Sequence, residues 1–406
     1  WDVEYSMMMA MGGSEVKEAS DGYNVILTSE SVAKYGFDWT KLATQLGFSS
    51  VPSKFNSTSL NYLKAGTALL IEKWKTPEWK TYWYYIFLRQ MIRFSDEWSH
   101  IHFEFHGKYV RGNPVPMPRQ LQPVFGLAAC FNTHLTNEYV KKNRKQDHVD
   151  YVNNLAYDLK TVFMRKLKRN TWLSPATKKY ALMKLEHLDL VIGSPQVLRE
   201  DPLLDYTAND AWGNLLKLAK WRHAKFIKLD GEKPLDIPFI DWSSEPFKLV
   251  GTQAYVVNAY YTATQNRIYV PLAYLQKPFI DLDERGIEYN LAHIGYTICH
   301  ELSHSLDNTG CRFDHKGNLY NWWTKEDKKA FDAKVKDVNQ QYEAFAKYDG
   351  IVMDGSISSG ENLADISGLA ICVEYLRDFQ VKNDDNVPIK SLSFQGFFVY
   401  IAVQAR

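Results

Sequence analysis

Five consecutive residues carry side chains that could bind and use a metal ion. Residues 300–304 read His-Glu-Leu-Ser-His, so two imidazoles stand four positions apart with a carboxylate beside the first. On a helix this spacing puts His300 and His304 on one face, about 6 Å apart, where both can reach one zinc ion. Glu301 would lie beside the open side of the metal, where a carboxylate can accept a proton from water. The pattern also arises by chance, so alone it does not separate a metal site from ordinary helical histidines.

A second segment supplies acids at a spacing that suits partners of a metal. Residues 360–365 read Gly-Glu-Asn-Leu-Ala-Asp, which places Glu361 and Asp365 one helical turn apart in an otherwise apolar stretch. Glu361 is the candidate third ligand, while Asp365 and Asp307 are candidates for carboxylates that orient an imidazole through its N–H group. An exposed capping or salt-bridge pair is the alternative for Glu361 and Asp365. Three protein ligands plus water form a catalytic zinc site, so the combination indicates hydrolysis.

A long helix and a β-hairpin are expected to position these side chains. The helix is predicted from about Asp283 to Leu306, with Gly310 marking its end. Its predicted buried stripe consists of Ile287, Leu291, Ile294, Ile298 and Leu302. Before the helix, residues 252–261 and 267–270 are rich in β-prone side chains and are separated by a short polar connection, which predicts a hairpin.

The preceding part of the chain is typical of a series of amphipathic helices. From about Leu60 to Phe226, apolar residues recur three and four positions apart. Ser174 followed by Pro175 predicts a helix start, and that helix should run to about Leu188. From residue 236 onward, prolines separate short aromatic-rich segments. The predicted domains are therefore a mainly helical lobe at 1–235 and a metal-binding lobe at 236–406.

Composition limits the classes of partner. The chain has 406 residues, and its 48 Lys and Arg against 47 Asp and Glu give a formal net charge of +1. This balance gives no electrostatic reason to expect nucleic acid as a partner. The four cysteines show no C-x-x-C spacing. No apolar run approaches the roughly 18 residues that a spanning helix needs, so we expect no membrane segment in this chain.

The co-occurring motifs resemble those of the neprilysin and endothelin-converting-enzyme family of zinc metallopeptidases, a gluzincin group. That family combines H-E-x-x-H with a downstream E-x-x-x-D, matched here by His300, Glu301, His304, Glu361 and Asp365. Further agreements are Val257-Asn258-Ala259-Tyr260-Tyr261, Asp307, Gly310, Gly317-Asn318-Leu319, Trp322-Trp323 and the run from Trp172 to Thr177. The resemblance covers most of the chain from about Phe37.

The resemblance implies a mainly α fold with a small β part, in which a thermolysin-like catalytic lobe and a helical lobe enclose a chamber. It implies one zinc ion per chain, held by His300, His304 and Glu361. Glu301 would be the general base and Asp365 a catalytic partner that orients an imidazole. The implied activity is a zinc-dependent endopeptidase or oligopeptidase that cleaves short peptides, since a chamber would exclude folded proteins.

The resemblance also implies that Asn258, Ala259 and Tyr260 align the substrate on an edge strand. Such a strand offers unpaired N–H and C=O groups to an extended peptide, and an asparagine side chain can both donate and accept. Two alternatives stay open. Asn258 could bond its own backbone at a strand end, and Tyr260 could pack in the hairpin core with Tyr261 and Tyr269.

The chain departs from the family near its end. Family members are longer on both sides, and their last part carries a histidine that stabilises the oxyanion and an arginine that grips the substrate. Neither can be assigned before Arg406, so we expect missing terminal segments or a partner chain to complete the site.

The rival hypothesis is a catalytically impaired protein of the same fold that serves a larger assembly. Hydrolysis of a non-peptide substrate is a weaker third option. The family favours an extracellular or extracytoplasmic location, and an intracellular or particle-associated one stays open.

Overall fold

The computed structural model describes residues 1–10, 22–92, 95–195, 200–232, 240–241, 248–249, 253–283, 286–383 and 394–405. Across these ranges the chain is mostly helical with small β-sheets, which confirms the predicted mainly α fold with a small β part. None of the helices in these ranges combines the length and the hydropathy that a membrane span requires. By its packing the chain divides into two compact units, one formed by 1–135 and 198–252 and the other by 136–197 and 253–406.

The α-helices of the described residues, in chain order, are α1 (Asp2–Ala10), α2 (Ser31–Tyr35), α3 (Trp39–Leu46), α4 (Leu60–Lys73), α5 (Pro77–Met91), α6 (Asp96–His102), α7 (Gln122–Cys130), α8 (Asn132–Asn143), α9 (Gln146–Arg169), α10 (Pro175–Glu186), α11 (Ala211–Lys228), α12 (Ile287–Asn290), α13 (Tyr296–His304), α14 (Lys325–Tyr348), α15 (Ser359–Asn383) and α16 (Phe394–Gln404). The strands are β1 (Asn24–Leu27), β2 (Lys54–Ser57), β3 (Asp189–Gly193), β4 (Ile240–Asp241), β5 (Lys248–Leu249), β6 (Tyr260–Thr262) and β7 (Arg267–Pro271). π-helical turns follow α6 over Phe103–Val110 and join α12 to α13 over Leu291–Gly295.

The predicted helical series is confirmed by α4 to α11, which β3 interrupts. Helix α10 begins at Pro175 as expected, because the Ser174 hydroxyl accepts a hydrogen bond from the Thr177 N–H group at 3.4 Å. It ends at Glu186, two residues before the predicted end at Leu188, because the chain then turns into β3. The sequence signal for this start was local, which is why it could be predicted closely.

The hairpin is confirmed, but its first strand is shorter than predicted. Strand β6 pairs antiparallel with β7, with Thr262 opposite Arg267. Thr252 is not among the described residues, and residues 253–259 form no strand, so Asn258 and Ala259 precede β6 and are not part of it. The sequence did not predict that β3 would pair in parallel with β7. The sheet order β3-β7-β6 leaves β6 at an edge among the described strands.

The helix that carries the His-Glu-Leu-Ser-His segment is confirmed over Ile287 to His304, through α12, the π-helical turn and α13. It begins four residues later than predicted. Four of the five residues of the predicted stripe, Leu291, Ile294, Ile298 and Leu302, are completely buried. Helix α15 packs closely along α13. At Gly368 the two backbones approach so closely that a Cβ atom would lie only 3.1 Å from the backbone nitrogen of His300.

The packing groups residues 136–197 with the unit that contains the metal motif, whereas the sequence assigned all of 1–235 to one helical lobe. Helix α9 packs against α13 and α15, and β3 pairs with β7, which accounts for this grouping. Neither association has a local sequence signal. The predicted boundary at 235–236 falls among residues beyond the described ranges, and the two-lobe assignment stays a prediction.

Candidate metal centre

Helix α13 presents two imidazoles on one face. The ring centroids of His300 and His304 are 4.5 Å apart and the ring planes are nearly perpendicular, at 88°. Their Nε2 atoms lie 2.9 Å apart. The two side chains are only 17% and 16% exposed. The four-residue spacing therefore brings two potential ligand nitrogens together in a largely buried position.

Helix α15 brings a carboxylate to the same point. The Oε2 atom of Glu361 lies 3.2 Å from Nε2 of His300 and 3.7 Å from Nε2 of His304. All three potential ligand atoms lie within 4.8 Å of one another, and no other such group of His, Cys, Asp or Glu occurs in the described part of the chain. The Glu361 side chain is 67% exposed, in contrast to the buried position expected from its apolar neighbours. Its carboxylate nevertheless faces both imidazoles.

Each imidazole is hydrogen-bonded through its Nδ1 atom to a different aspartate. The Nδ1 atom of His300 lies 2.8 Å from Oδ1 of Asp365, and that of His304 lies 2.8 Å from Oδ2 of Asp307. An ionised carboxylate only accepts hydrogen bonds, so the Nδ1 atom of each ring is the one that donates to its aspartate. When the rings are neutral, both Nε2 atoms present lone pairs toward Glu361. The two aspartates thus occupy the positions that the sequence suggested for orienting groups.

A short loop after α13 fixes Asp307. Its Oδ1 atom accepts hydrogen bonds from the N–H groups of Thr309 at 2.8 Å and Gly310 at 2.6 Å. A Cβ atom at Gly310 would lie 1.9 Å from the carbonyl oxygen of His304, so the close turn requires glycine. The completely buried Lys184 donates to the carbonyl oxygens of Gly310 at 2.5 Å and Phe313 at 2.9 Å. Burial lowers the pKa of Lys184 to about 8.

The aspartates change the proton affinity of the imidazoles. Burial lowers the pKa of His300, but the hydrogen bond to Asp365 and nearby negative charges outweigh burial, and the pKa is raised overall. The same balance, with Asp307 as the hydrogen-bond partner, raises the pKa of His304. Burial raises the pKa of Asp365, but hydrogen bonds from His300 and Tyr296 outweigh it and hold the pKa below its usual range. Asp365 is therefore kept as an anion beside its imidazole.

Glu301 is buried against the hairpin, since β6 packs on α13. Burial raises the pKa of Glu301, while the positive charges of protonated His304 and His300 and a hydrogen bond from the Tyr261 backbone act in the opposite direction. A carboxylate with a raised pKa is a better proton acceptor near neutral pH than an ordinary glutamate.

The predicted substrate segment lies next to Glu301 but has a different local structure from the one expected. The Ala259 N–H group donates to the side-chain oxygen of Asn258 at 2.9 Å, the strand-end arrangement considered above as an alternative. Ala259 is buried, while Asn258 is exposed. Tyr260 begins β6, and burial, together with the charge of Glu301, raises the pKa of its hydroxyl. Tyr269 is buried, and its hydroxyl donates to the Gln253 carbonyl.

The donor set fits a zinc ion. When both rings are neutral and Nδ1 carries the proton, two imidazole lone pairs and one carboxylate oxygen converge with no proton between them. Such a group of acceptors is unfavourable unless a cation lies among them. Two histidines and one glutamate form the ligand set of catalytic zinc sites, which keep a further position for water. His300, His304 and Glu361 are therefore the residues that could hold the metal.

Two residues that support the surroundings of this centre had no site role assigned from the sequence, one behind the loop of Asp307 and one on Asp365. Lys184 lies in an apolar face of α10, where a lone lysine can signal a buried cation. Tyr296 lies one turn before His300 on α13, and its hydroxyl contacts Asp365. The i, i+4 spacing of Tyr296 and His300 was visible in the sequence, but the contact depends on how α15 packs.

Comparison with known proteins places the chain in a family. Two family models match it, one over residues 2–195 and the other over residues 258–405, and both describe peptidase family M13. The chain belongs to peptidase family M13. Among the relatives of this M13 chain are neprilysins and endothelin-converting-enzyme homologues, which confirms the resemblance found in the sequence. Family membership supports a zinc endopeptidase in general terms.

The M13 chain matches only part of each relative. It is 31% identical to a neutral endopeptidase of Lactobacillus helveticus, over 70% of the chain and 41% of that protein. It is 30% identical to an endothelin-converting enzyme homologue of Locusta migratoria, over 61% of the chain and 34% of that protein. The crystal structure of PepO from Lactobacillus rhamnosis is 26% identical with a TM-score of 0.78, over 98% of the chain and 59% of PepO. The chain thus spans less than two thirds of each.

Proposed function

We propose that this chain is the metal-binding part of a zinc-dependent endopeptidase or oligopeptidase that hydrolyses peptide bonds in short peptides. The observation that carries the proposal is the convergence of the ligand atoms of His300, His304 and Glu361 within 4.8 Å. These three side chains would hold one zinc ion per chain. Zinc supplies Lewis-acid activation of water and of a peptide carbonyl.

Glu301 would accept a proton from the attacking water and later give it to the leaving amine. It directly follows a ligand residue, so its backbone position is fixed by the same helix. Its burial raises the pKa, which suits a group that must take up a proton and release it in one cycle. Its neighbours from β6 limit the access of bulk water to the carboxylate.

Asp365 and Asp307 would keep the two imidazoles in the tautomer that binds metal. Each accepts the Nδ1 proton, which leaves the Nε2 lone pair directed at the metal position. An imidazole that is free to rotate would lose part of its affinity for zinc as conformational entropy. The two hydrogen bonds therefore support metal binding without contacting the substrate.

A peptide would align along β6, which lies at an edge among the described strands. Tyr260, Tyr261 and Thr262 form this short strand, and the exposed Asn258 side chain precedes it. Edge strands bind extended peptides through backbone hydrogen bonds, which gives affinity without strong side-chain preference. For Asn258 to serve a substrate, its side-chain oxygen would have to leave the N–H group of Ala259.

The test is cleavage of a mixed library of quenched fluorescent peptides by the protein expressed from its complete gene, with zinc content measured in parallel. We expect zinc-dependent cleavage by the unmodified protein. Glu301→Gln should keep zinc and lose activity by about 10² to 10⁴-fold, the usual contribution of a general base.

Glu288→Gln makes the same chemical change at the start of the same helical segment, away from the ligands, and serves as the control. It should retain both zinc and cleavage. Full activity in Glu301→Gln would contradict the assigned base. A zinc-loaded protein that cleaves no peptide would contradict the peptidase proposal and favour a binding or structural role for the fold.

A further inference from the structure

One oxygen atom of Asp365 serves two donors. Oδ1 accepts a hydrogen bond from Nδ1 of His300 at 2.8 Å and another from the hydroxyl of Tyr296 at 2.7 Å. Tyr296 is the first residue of α13 and lies one turn before His300. The tyrosine and histidine rings are in contact, with centroids 6.5 Å apart and planes inclined by 63°. Tyr296 therefore reaches from the metal-binding helix α13 to the helix α15 that carries Asp365 and Glu361.

We infer that Tyr296 is a positioning residue for the zinc site, which fixes the Asp365 carboxylate so that this carboxylate fixes His300. This inference rests on the proposed function, because it assumes that His300 is a metal ligand. The hydroxyl does not contact any of the three ligand atoms. Any effect of this hydroxyl on zinc affinity must therefore pass through Asp365. Substitutions at Tyr296 and Asp365 can test this route.

The chemistry of the contact supports a positioning role. A hydrogen bond from a hydroxyl to an ionised carboxylate is charge-assisted and is roughly twice as strong as a bond between neutral groups. The Asp365 side chain is 40% exposed, so without Tyr296 water could compete for Oδ1 and the carboxylate could rotate. Burial raises the pKa of Tyr296 above its usual range, which keeps the hydroxyl protonated as a donor at physiological pH. Tyr296 thus fixes the same Oδ1 atom of Asp365 that accepts the hydrogen bond from His300.

A matched control residue contacts the same helix. The Tyr274 hydroxyl lies 2.7 Å from the hydroxyl of Thr297, the residue after Tyr296, and does not touch Asp365. Tyr274→Phe removes a hydroxyl group that contacts Thr297 on α13, and Tyr296→Phe removes a hydroxyl group of α13 that contacts Asp365 on α15, each over 2.7 Å. A purely structural effect should lower the thermal stability of both metal-free variants to a similar extent.

The experiment measures zinc affinity by competition with a chromophoric chelator, and thermal unfolding of the metal-free protein, for the unmodified chain and both variants. We expect Tyr296→Phe to raise the Kd for zinc about 10- to 100-fold, the range typical of partners that hold a metal-binding histidine. Tyr274→Phe should change the Kd by less than about threefold, the change of a substitution uncoupled from the site. Equal Kd values for Tyr296→Phe and the unmodified chain would overturn the inference.

A double-mutant cycle tests the route through Asp365. If Tyr296 acts only through this carboxylate, Tyr296→Phe should have little further effect on zinc affinity in an Asp365→Asn background. An undiminished effect in that background would overturn the route. Failure of the unmodified chain to bind zinc would overturn the metal site itself, a result distinct from an unchanged Kd in the Tyr296 variant.

Discussion

Each imidazole of the cluster has one nitrogen bound to an aspartate and the other directed at Glu361. The aspartates come from different places, Asp307 from the loop after α13 and Asp365 from α15. This arrangement favours, in each neutral ring, the tautomer that carries its proton on Nδ1. It also raises the pKa of both rings, so that protons and metal compete for the same Nε2 atoms.

The competition predicts that zinc binding weakens as the pH falls. A raised pKa means that each metal-free imidazole is protonated at a higher pH than the ordinary value of about 6.5. Zinc must displace these protons, so its affinity should be full above the raised pKa values and should fall below them. The loss approaches about tenfold per pH unit for each proton displaced. Chelator competition between pH 8 and pH 5.5 measures it.

Asp307→Asn removes the carboxylate that raises the pKa of His304 and is the comparison variant. Its zinc affinity should be lower at neutral pH, and the decline with acid should begin at a lower pH. A zinc affinity that stays constant from pH 8 to pH 5.5 would show that the imidazoles are not the ligands that titrate.

At the scale of single residues, the ligand pattern could be predicted because it is local. His300, Glu301 and His304 lie within one helical turn, and Glu361 and Asp365 within another. Tyr296 and Lys184 could not be assigned, because their partners are 69 and 126 residues away in the sequence. Which residues those partners are depends on how α15 and the loop after α13 pack.

At the scale of elements, side-chain hydrogen bonds anchor the first turns of two helices of the second unit, α10 and α14. Helix α14 begins after Thr324, and Asp327 in its first turn accepts hydrogen bonds from the Ser174 N–H group at 3.0 Å and from the Ser174 hydroxyl at 2.5 Å. Ser174 is also the N-cap residue of α10. One buried carboxylate therefore joins the beginnings of α10 and α14 within the second unit.

This contact predicts a stability change with pH. Burial raises the pKa of Asp327, but hydrogen bonds from Ser174, Thr177 and Thr324 outweigh burial and lower it to about 2. Because the folded-state pKa lies below the unfolded value of about 3.9, the stabilisation is complete above about pH 4. It should be lost as the pH falls from about 4 to 2. Asp327→Asn should lower the free energy of unfolding at pH 7 by about 1–3 kcal/mol.

Urea unfolding at pH 7 and thermal unfolding across acid pH would measure both effects. Asp332→Asn on the same helix removes an exposed carboxylate that pairs with Lys328, and it should change stability by well under about 1 kcal/mol. Equal destabilisation by the two substitutions would mean that Asp327 has no special role at the helix ends.

Local signals also decided how well the elements could be predicted. The start of α10 and four of the five residues of the buried stripe that runs from α12 to α13 were correct, because capping residues and apolar periodicity act over a few residues. Strand β3 was missed because its five residues gain their partner, β7, from a distant part of the chain. The first hairpin strand was predicted too long, because β-prone residues before Tyr260 are not paired in the sheet.

At the scale of the whole molecule, every residue of the candidate centre comes from one of the two compact units. That unit joins residues 136–197 to residues 253–406, so it could not be inferred from a continuous stretch of sequence. The chain covers 41% of the neutral endopeptidase and 59% of PepO.

The central claim is therefore that His300, His304 and Glu361 hold one zinc ion. X-ray absorption spectroscopy at the zinc edge of the loaded protein, with the metal content measured, tests it most directly. We expect one zinc per chain, imidazole nitrogen at about 2.0–2.1 Å, oxygen at about 2.0–2.2 Å and no sulfur. Glu361→Ala should retain little zinc. Sulfur ligands at about 2.3 Å, or full zinc content in Glu361→Ala, would contradict the account.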